Sequence, residues 1–138
     1  VIMTEMIHDA RIVPIAGSEP LTEDIRLWTG DSRGYWDGDT LVVETRNFNG
    51  FTQSFGVYGT AEEKVLTEFF TRTGPYTVEY EFTVDDPATF KDKITVMVPM
   101  SKVDGQLYEY ACHEGNYGMI NILRGERMTE QREAESAQ

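Results

Sequence analysis

The sequence predicts an all-β fold: a small antiparallel β-barrel of lipocalin-like or calycin-like type, or a sandwich, with a short C-terminal helix. Runs of alternating apolar and polar residues are separated by turn signals, a pattern typical of β-hairpins. The three turns are Asp37-Gly38, Thr73-Gly74-Pro75 and Asp104-Gly105. Seven or eight short strands at this spacing are typical of a barrel or sandwich, and a barrel of about eight strands encloses one small ligand.

The clearest strands are residues 77–84 and 93–100, in which apolar side chains occupy every second position. The first of these runs pairs with residues 65–72, and the second with residues 106–112, across their turns. Upstream, residues 1–6 and 10–15 form two strands or one bent strand.

The remaining segments are less regular. A short turn of helix is possible over residues 21–28. Met119, Ile120, Leu123 and Arg124 have helical spacing, and a polar tail follows. We therefore divide the chain into a barrel domain, residues 1–125, and a polar C-terminal helix or tail, residues 126–138.

Composition excludes several classes of partner. The formal net charge is −12, from 24 acidic and 12 basic residues, and the basic residues are scattered singly. Such a surface repels phosphate backbones and anionic lipids, so we expect neither nucleic acid nor membrane as a partner.

Cys112 is the single cysteine, which rules out an internal disulfide and favours a small buried side chain. The chain shows no signal peptide and no apolar run long enough to span a bilayer.

Residues 30–34 match the G-x-S-x-G pattern of a nucleophile elbow, with Ser32 at its centre. That elbow needs a strand before the serine and a helix after it. Here a strand and an Asp-Gly turn follow instead. We therefore interpret the glycines as allowing a sharp turn into the next strand.

Both histidines stand beside a carboxylate, as His8-Asp9 and His113-Glu114. Histidine moves protons near neutral pH, and a carboxylate can orient it. Neighbours on a regular strand point to opposite faces, so these pairs work only at a bulge or a strand end. Gly115 makes a strand end beside Glu114 plausible.

A metal site is an alternative use of the histidines. His8 and His113 lie near opposite ends of the chain, and barrel closure commonly pairs the first and last strands. With Glu44, Glu109 or Glu114 they would supply three ligands.

Three carboxylates interrupt apolar strand patterns: Glu44, Glu68 and Glu109. A carboxylate that points into a barrel has its pKa raised by loss of solvation and can act as a general acid or base. Arg11 and Arg46 are the candidate counter-charges. The alternative is that these side chains lie on an outer face.

Aromatic side chains are candidates for ligand binding. Phe51, Phe55 and Tyr58 belong to a Gly-rich loop suited to the mouth of a pocket. We add Trp36 and Tyr110, with Arg11 as a charged contact.

Two stretches resemble the signatures of a family of exported bacterial proteins: residues 30–45 (GDSRGYWDGDTLVVET) and residues 108–119 (YEYACHEGNYGM). Residues 7–14 and 80–87 are similar to that family as well. In it the matching region usually forms the carboxyl-terminal part of a longer precursor. The resemblance implies an extracytoplasmic location, periplasmic or secreted. It does not point to any particular activity.

Together these observations favour binding of a small neutral molecule, aromatic or sugar-like, without a cofactor. In its catalytic form the domain would be a metal-free acid/base enzyme, a lyase, isomerase or hydrolase. The candidate catalytic residues are His113, Glu114, His8, Asp9 and Glu44. Three alternatives stay open: a non-catalytic binding module that uses the same pocket, an assembly domain that pairs the edge of residues 1–6 with another subunit in a homodimer, and a metalloenzyme that uses His8 and His113.

Overall fold

The computed structural model describes residues 1–6, 9–15, 17–108 and 117–136. It is mostly β, with one C-terminal helix, as the sequence predicts. The chain forms two compact units. The first comprises Val1–Thr4 and Asp9–Gln106, and the second comprises the described residues of Glu5–His8 and Leu107–Gln138.

The first unit is built on a five-stranded antiparallel sheet in which every strand pairs with its neighbour in sequence. This meander follows from the predicted turns, because the observed turns, Gly38-Asp39 and Pro75-Tyr76, overlap two of them and connect strands that are adjacent in the chain. The five strands are β3 (Asp31–Asp37), β4 (Thr40–Arg46), β5 (Val65–Gly74), β6 (Thr77–Asp85) and β7 (Ile94–Ser101). Two short strands, β1 (Ile2–Met3) and β2 (Ala10–Arg11), pair antiparallel with each other.

One face of the sheet is apolar, and the other, which we call the polar face, is mostly polar but also carries Val42 and Phe69. The register aligns Val43, Glu68, Phe82 and Val96 on what we call the apolar face. A neighbouring row, Glu44, Thr67, Thr83 and Thr95, belongs to the polar face. Buried apolar side chains include Val42, Val43, Phe48, Ala61 and Val84. Strands β3 and β7 are the edges, so the described strands do not close into a barrel.

The third predicted hairpin does not form over its described part. Residues 106–108 are not in a strand, and residues 109–112 lie outside the described residues. The amide of Lys102 donates to the carbonyl of Tyr76 at 2.8 Å, so the amides of alternate residues before it also point towards β6. Pro99 then presents its nitrogen, which has no hydrogen, to the open edge. This arrangement disfavours a further strand on that side.

The helix is longer than the sequence predicts, whereas the segment before β3 is less helical. Helix α1 (Gly118–Ser136) continues through the polar residues that we expected to fray, because Glu, Arg, Gln and Met are all good helix formers. Residues 21–28 contain a turn and no helix. The predicted N-terminal edge strand is limited to Ile2–Met3.

Candidate functional site

A buried ion pair stands on the apolar face of the sheet. Arg11, at the end of β2, places its Nη2 atom 2.9 Å from Oε1 and 2.6 Å from Oε2 of Glu68. The Glu68 side chain is only 4% exposed and that of Arg11 is 16% exposed. The sequence predicts Arg11 as a counter-charge and Glu68 as a carboxylate that interrupts an apolar strand. The structure pairs these two residues. Because both charges are compensated here, burial does not leave either of them isolated.

Two hydroxyl groups complete this network. Tyr80 donates its phenol hydrogen to Glu68 Oε1 at 2.8 Å, and Arg11 Nη1 lies 3.4 Å from Thr45 Oγ1. Burial, and then the negative charge of Glu68, raise the pKa of Tyr80 well above its ordinary value of 10.0. Tyr80 therefore stays a protonated donor at neutral pH, and Glu68 is an acceptor with fixed partners.

A cavity of about 250 Å³ lies beside this network. It is lined by Ile2, Thr4, Asp9, Arg11, Thr29 and Phe48. The short β1–β2 pair contributes Ile2 and Arg11 to the lining, and the Thr4 amide continues this pairing by donating to the Asp9 carbonyl at 2.9 Å. The lining combines a cation, a carboxylate, two hydroxyls and two apolar side chains, so it offers both polar and apolar contacts to one small molecule.

Ser32 of the G-x-S-x-G pattern has a structural role. Its Oγ lies 2.8 Å from Thr45 Oγ1 and the residue is 3% exposed. Gly30 has a φ of 70°, and a Cβ there would stand 2.6 Å from the Arg46 carbonyl oxygen. A Cβ on Gly34 would stand 2.8 Å from Ile15 Cδ1. The motif thus packs the entrance to β3 tightly, and the interpretation of its glycines as turn residues is confirmed at Gly30.

Several predicted site residues lie outside the described residues: His8, Tyr110, His113 and Glu114. Their assigned roles stay predictions, as does that of Cys112. Among the described candidates, Asp9 and Arg11 are brought together in the lining of the cavity.

Glu44 is not part of this group. It belongs to the polar face of β4, whereas Arg11 and Glu68 meet on the apolar face. Its carboxylate pairs with Arg46 at 2.7 Å, and this pair is exposed. The pairing of Arg46 with a predicted carboxylate is confirmed, but the predicted grouping of Glu44 with Asp9 and Arg11 is not formed. The side-chain alternation of β4 explains the difference, since Val43 and Thr45 take the apolar face.

The four described aromatic candidates do not line the cavity. Phe51 packs against Trp28 with 6.0 Å between ring centroids, and Phe55 packs against Phe82 at 6.1 Å. Tyr58 is 65% exposed and Trp36 is 61% exposed. The loop that carries Phe51, Phe55 and Tyr58 thus contributes to packing and to the surface rather than to the mouth of this cavity.

The ring that does line the cavity is Phe48, just after β4. Lys64 Nζ stands 4.1 Å from the centroid of that ring and 3.1 Å from the Ser54 carbonyl oxygen. Burial lowers the pKa of Lys64, against the opposing charges of Asp86 and Glu68. The ammonium thus makes a cation–π contact with Phe48.

Sequence reasoning missed the supporting residues of the site. Thr29, Phe48 and Tyr80 carry no motif, and Tyr80 reads as an ordinary core position in an alternating strand. One signal was available: Glu68 and Tyr80 occupy the same face of neighbouring strands once the β5–β6 hairpin is registered.

Within the described part of the chain, no group of three His, Cys, Asp or Glu side chains is arranged to hold a metal ion. The proposed histidine ligands lie outside that part, so the metalloenzyme alternative stays a prediction. No helix over the described residues has the length and apolar character needed to cross a membrane.

Comparisons with known proteins return no match among family models, curated proteins or solved structures.

Proposed function

We propose that this domain binds a small, neutral, ring-sized molecule in the cavity beside Arg11. The observation that carries this proposal is the buried Arg11–Glu68–Tyr80 network, which fixes a guanidinium at the wall of a cavity that also contains Asp9. A donor held in place by a carboxylate loses little freedom when a ligand arrives. This pre-organisation distinguishes the cavity from an ordinary surface depression.

The charge balance supports a neutral ligand. Glu68 already compensates the charge of Arg11, and Asp9 adds a carboxylate to the lining. An anion would therefore meet net negative charge at this cavity. The two threonine hydroxyls, Thr4 and Thr29, suit the hydroxyl groups of a sugar or a phenol, and Ile2 and Phe48 suit its ring. A volume of about 250 Å³ is below the range of about 300–1,000 Å³ for drug-sized ligands.

Catalysis of the acid/base type is the extended form of this proposal. One histidine, His8 or His113, would take the proton and a carboxylate would orient the imidazole or return the proton, in an elimination, isomerisation or hydrolysis. If so, His113→Ala abolishes turnover of a ligand found by the binding test while the far-UV circular dichroism spectrum is unchanged. Unchanged turnover would remove His113 from the mechanism and leave binding untouched.

We also keep three expectations from the sequence as part of this proposal. A barrel or sandwich arrangement, an extracytoplasmic location and a relation to the exported bacterial family rest on the sequence patterns. A ligand-binding domain with an acidic, sparsely basic surface is consistent with each of them.

Binding is tested with a panel of monosaccharides and phenols, observed by saturation-transfer NMR and by chemical shifts of the ¹⁵N-labelled protein. We expect a hit to shift the amides of Thr4, Asp9 and Arg11. Thr29→Phe fills the cavity and should abolish binding, whereas Thr60→Phe, the same change at an exposed position, should not.

A second pair of variants tests the polar wall. Asp9→Asn should weaken binding of a hydroxylated ligand about tenfold, because it removes a charged acceptor. Asp92→Asn makes the same change of net charge at an exposed site and should leave affinity unchanged. For the first pair of variants, equal ligand affinity of the Thr29→Phe variant and the parent protein would contradict the proposal.

A further inference from the structure

A second groove lies at the other end of the apolar face, where β5 and β6 join. Its volume is about 510 Å³, roughly twice that of the cavity beside Arg11. The lining residues are Phe70, Arg72, Pro75, Tyr76, Thr77, Val78, Met100, Ser101 and Lys102. Phe70, Val78 and Met100 supply an apolar floor from three neighbouring strands, since the register places Arg72 beside Val78 and Val78 beside Met100.

Arg72 is held at this groove by backbone groups alone. Its Nε donates to the Gly74 carbonyl at 3.1 Å, and its Nη2 donates to the Pro75 carbonyl at 3.0 Å. The irregular register between Arg72 and Gly74 brings these carbonyls within reach. In the described chain no carboxylate lies within 4.0 Å of Arg72, unlike Arg11, Arg33 and Arg46 in the same unit.

The other cation of the groove is Lys102. Its Nζ is 5.5 Å from the centroid of the Tyr76 ring and 3.4 Å from Asp104 Oδ1. Asp104 is 96% exposed, so water screens this pair strongly. None of the residues that line the groove is acidic. The groove therefore concentrates positive charge in a protein whose net charge is −12.

We propose that this groove binds an aromatic carboxylate. The Nη1 atom of Arg72 makes no hydrogen bond within the described residues, so a guanidinium edge is free to donate to a carboxylate while Gly74 and Pro75 hold its position. Phe70, Val78 and Met100 supply the apolar surface for the ring, and Tyr76 stands at the rim. The charge complementarity selects a small anion over a second copy of this acidic chain, whose approach would add to the repulsion.

This site is independent of the cavity beside Arg11. Arg72 and Glu68 are four residues apart on β5, which corresponds to about 13 Å at about 3.3 Å per residue. The two sites also select opposite ligands, one neutral and one anionic. Failure of either proposal therefore leaves the other standing.

The test is a titration of the ¹⁵N-labelled protein with 2-naphthoate at low ionic strength, with 2-naphthamide as the neutral control of the same shape. We expect 2-naphthoate to shift the amides of Phe70, Tyr76, Val78 and Met100 saturably, and 2-naphthamide to bind about tenfold more weakly. Equal affinity for the two compounds, or no saturable shifts at millimolar concentration, would overturn the proposal.

Variants test whether the guanidinium of Arg72 is responsible for the binding of 2-naphthoate. Arg72→Gln should weaken 2-naphthoate binding about tenfold, whereas Lys93→Gln, the same loss of charge beyond the groove, should not change it. Met100→Glu places a carboxylate in the apolar floor and should abolish binding without touching Arg72. If Arg72→Gln fails to fold, Met100→Glu still decides the question, because Met100 is 42% exposed on the edge strand.

A different occupant would have a different signature. If the groove is covered by a second copy of the chain, its amide shifts will change with protein concentration in the absence of 2-naphthoate, and sedimentation will show a dimer. That outcome overturns the small-molecule proposal.

Discussion

Two arginines on one apolar sheet face have opposite environments. Arg11 meets a carboxylate that is almost fully buried, and a tyrosine donates to the same carboxylate. Arg72 meets only backbone carbonyls, at the turn end of the same strand that carries Glu68. The first arrangement has no net charge and sits behind a small cavity. The second keeps its full positive charge beside a wider apolar groove.

The comparison shows that partners, rather than residue type, decide what an arginine can recognise. A compensated guanidinium serves as a rigid donor for a neutral ligand, and an uncompensated one attracts an anion. The partners also decide how much the loss of a charged side chain changes the stability of the fold. Removal of the buried Glu68 leaves the Arg11 charge largely shielded from water, whereas an exposed arginine can be replaced at little cost.

The largest effect should come from Glu68→Leu. This change leaves Arg11 with no counter-charge at a position where it is only 16% exposed. We expect the free energy of unfolding to fall by about 3 kcal/mol, as for other buried pairs that lose one partner. Urea unfolding followed by far-UV circular dichroism measures it.

Two further variants separate the pair from its parts. The double variant Arg11→Met, Glu68→Leu should recover most of the loss, because two apolar side chains can pack where the ion pair stood. Glu44→Leu removes the partner of an exposed pair and should change stability by less than about 0.5 kcal/mol. A Glu68→Leu protein as stable as the Glu44→Leu protein would contradict the distinction.

Tyr80→Phe should have an intermediate effect. The variant keeps the ring, which stacks on Phe70 with 4.8 Å between centroids, and loses only the bond to Glu68. We expect a loss of about 1.5 kcal/mol, typical of a hydrogen bond to a charged group. Tyr76→Phe, at a tyrosine that is 67% exposed, should be neutral in the same urea experiment.

The same bond predicts a pH dependence. Burial and the charge of Glu68 raise the pKa of Tyr80, so the folded protein holds this proton more tightly than the unfolded chain does. The associated stability is complete below the ordinary tyrosine pKa of 10.0 and is lost as the pH rises from there through the raised pKa. In an absorbance titration at 295 nm, Tyr80 should ionise above the ordinary tyrosine pKa, and Tyr80→Phe should remove that step from the titration.

Much of the sheet is predictable from local signals. Alternation in residues 77–84, together with an Asp-Gly turn, defines β6 and the β3–β4 hairpin. That residues 106–108, the described part of the predicted partner of β7, form no strand is harder to foresee, because Asp104-Gly105 is a valid turn signal. The Pro99 nitrogen faces the open edge of β7, and that orientation depends on the register of β7 against β6.

The candidate site is predictable only in part. Arg11 and Glu68 can each be singled out, one as a counter-charge and one as a carboxylate in an apolar pattern. Their contact joins residues 57 positions apart, and local periodicity carries no information about it. Glu44 gives the same sequence signal as Glu68 but lies on the opposite face, because the strand phase, not the residue type, assigns the face.

The smallest effect on stability should come from Arg72→Met. Arg72 loses two bonds to carbonyls that water can replace, and the methionine adds apolar area to the groove floor. We expect a change within about 0.5 kcal/mol in urea unfolding, although the same residue should dominate the binding of 2-naphthoate. A loss as large as that of Glu68→Leu would mean that Arg72 stabilises the β5–β6 turn. The two arginines would then both be structural, and their environments would not separate stability from binding.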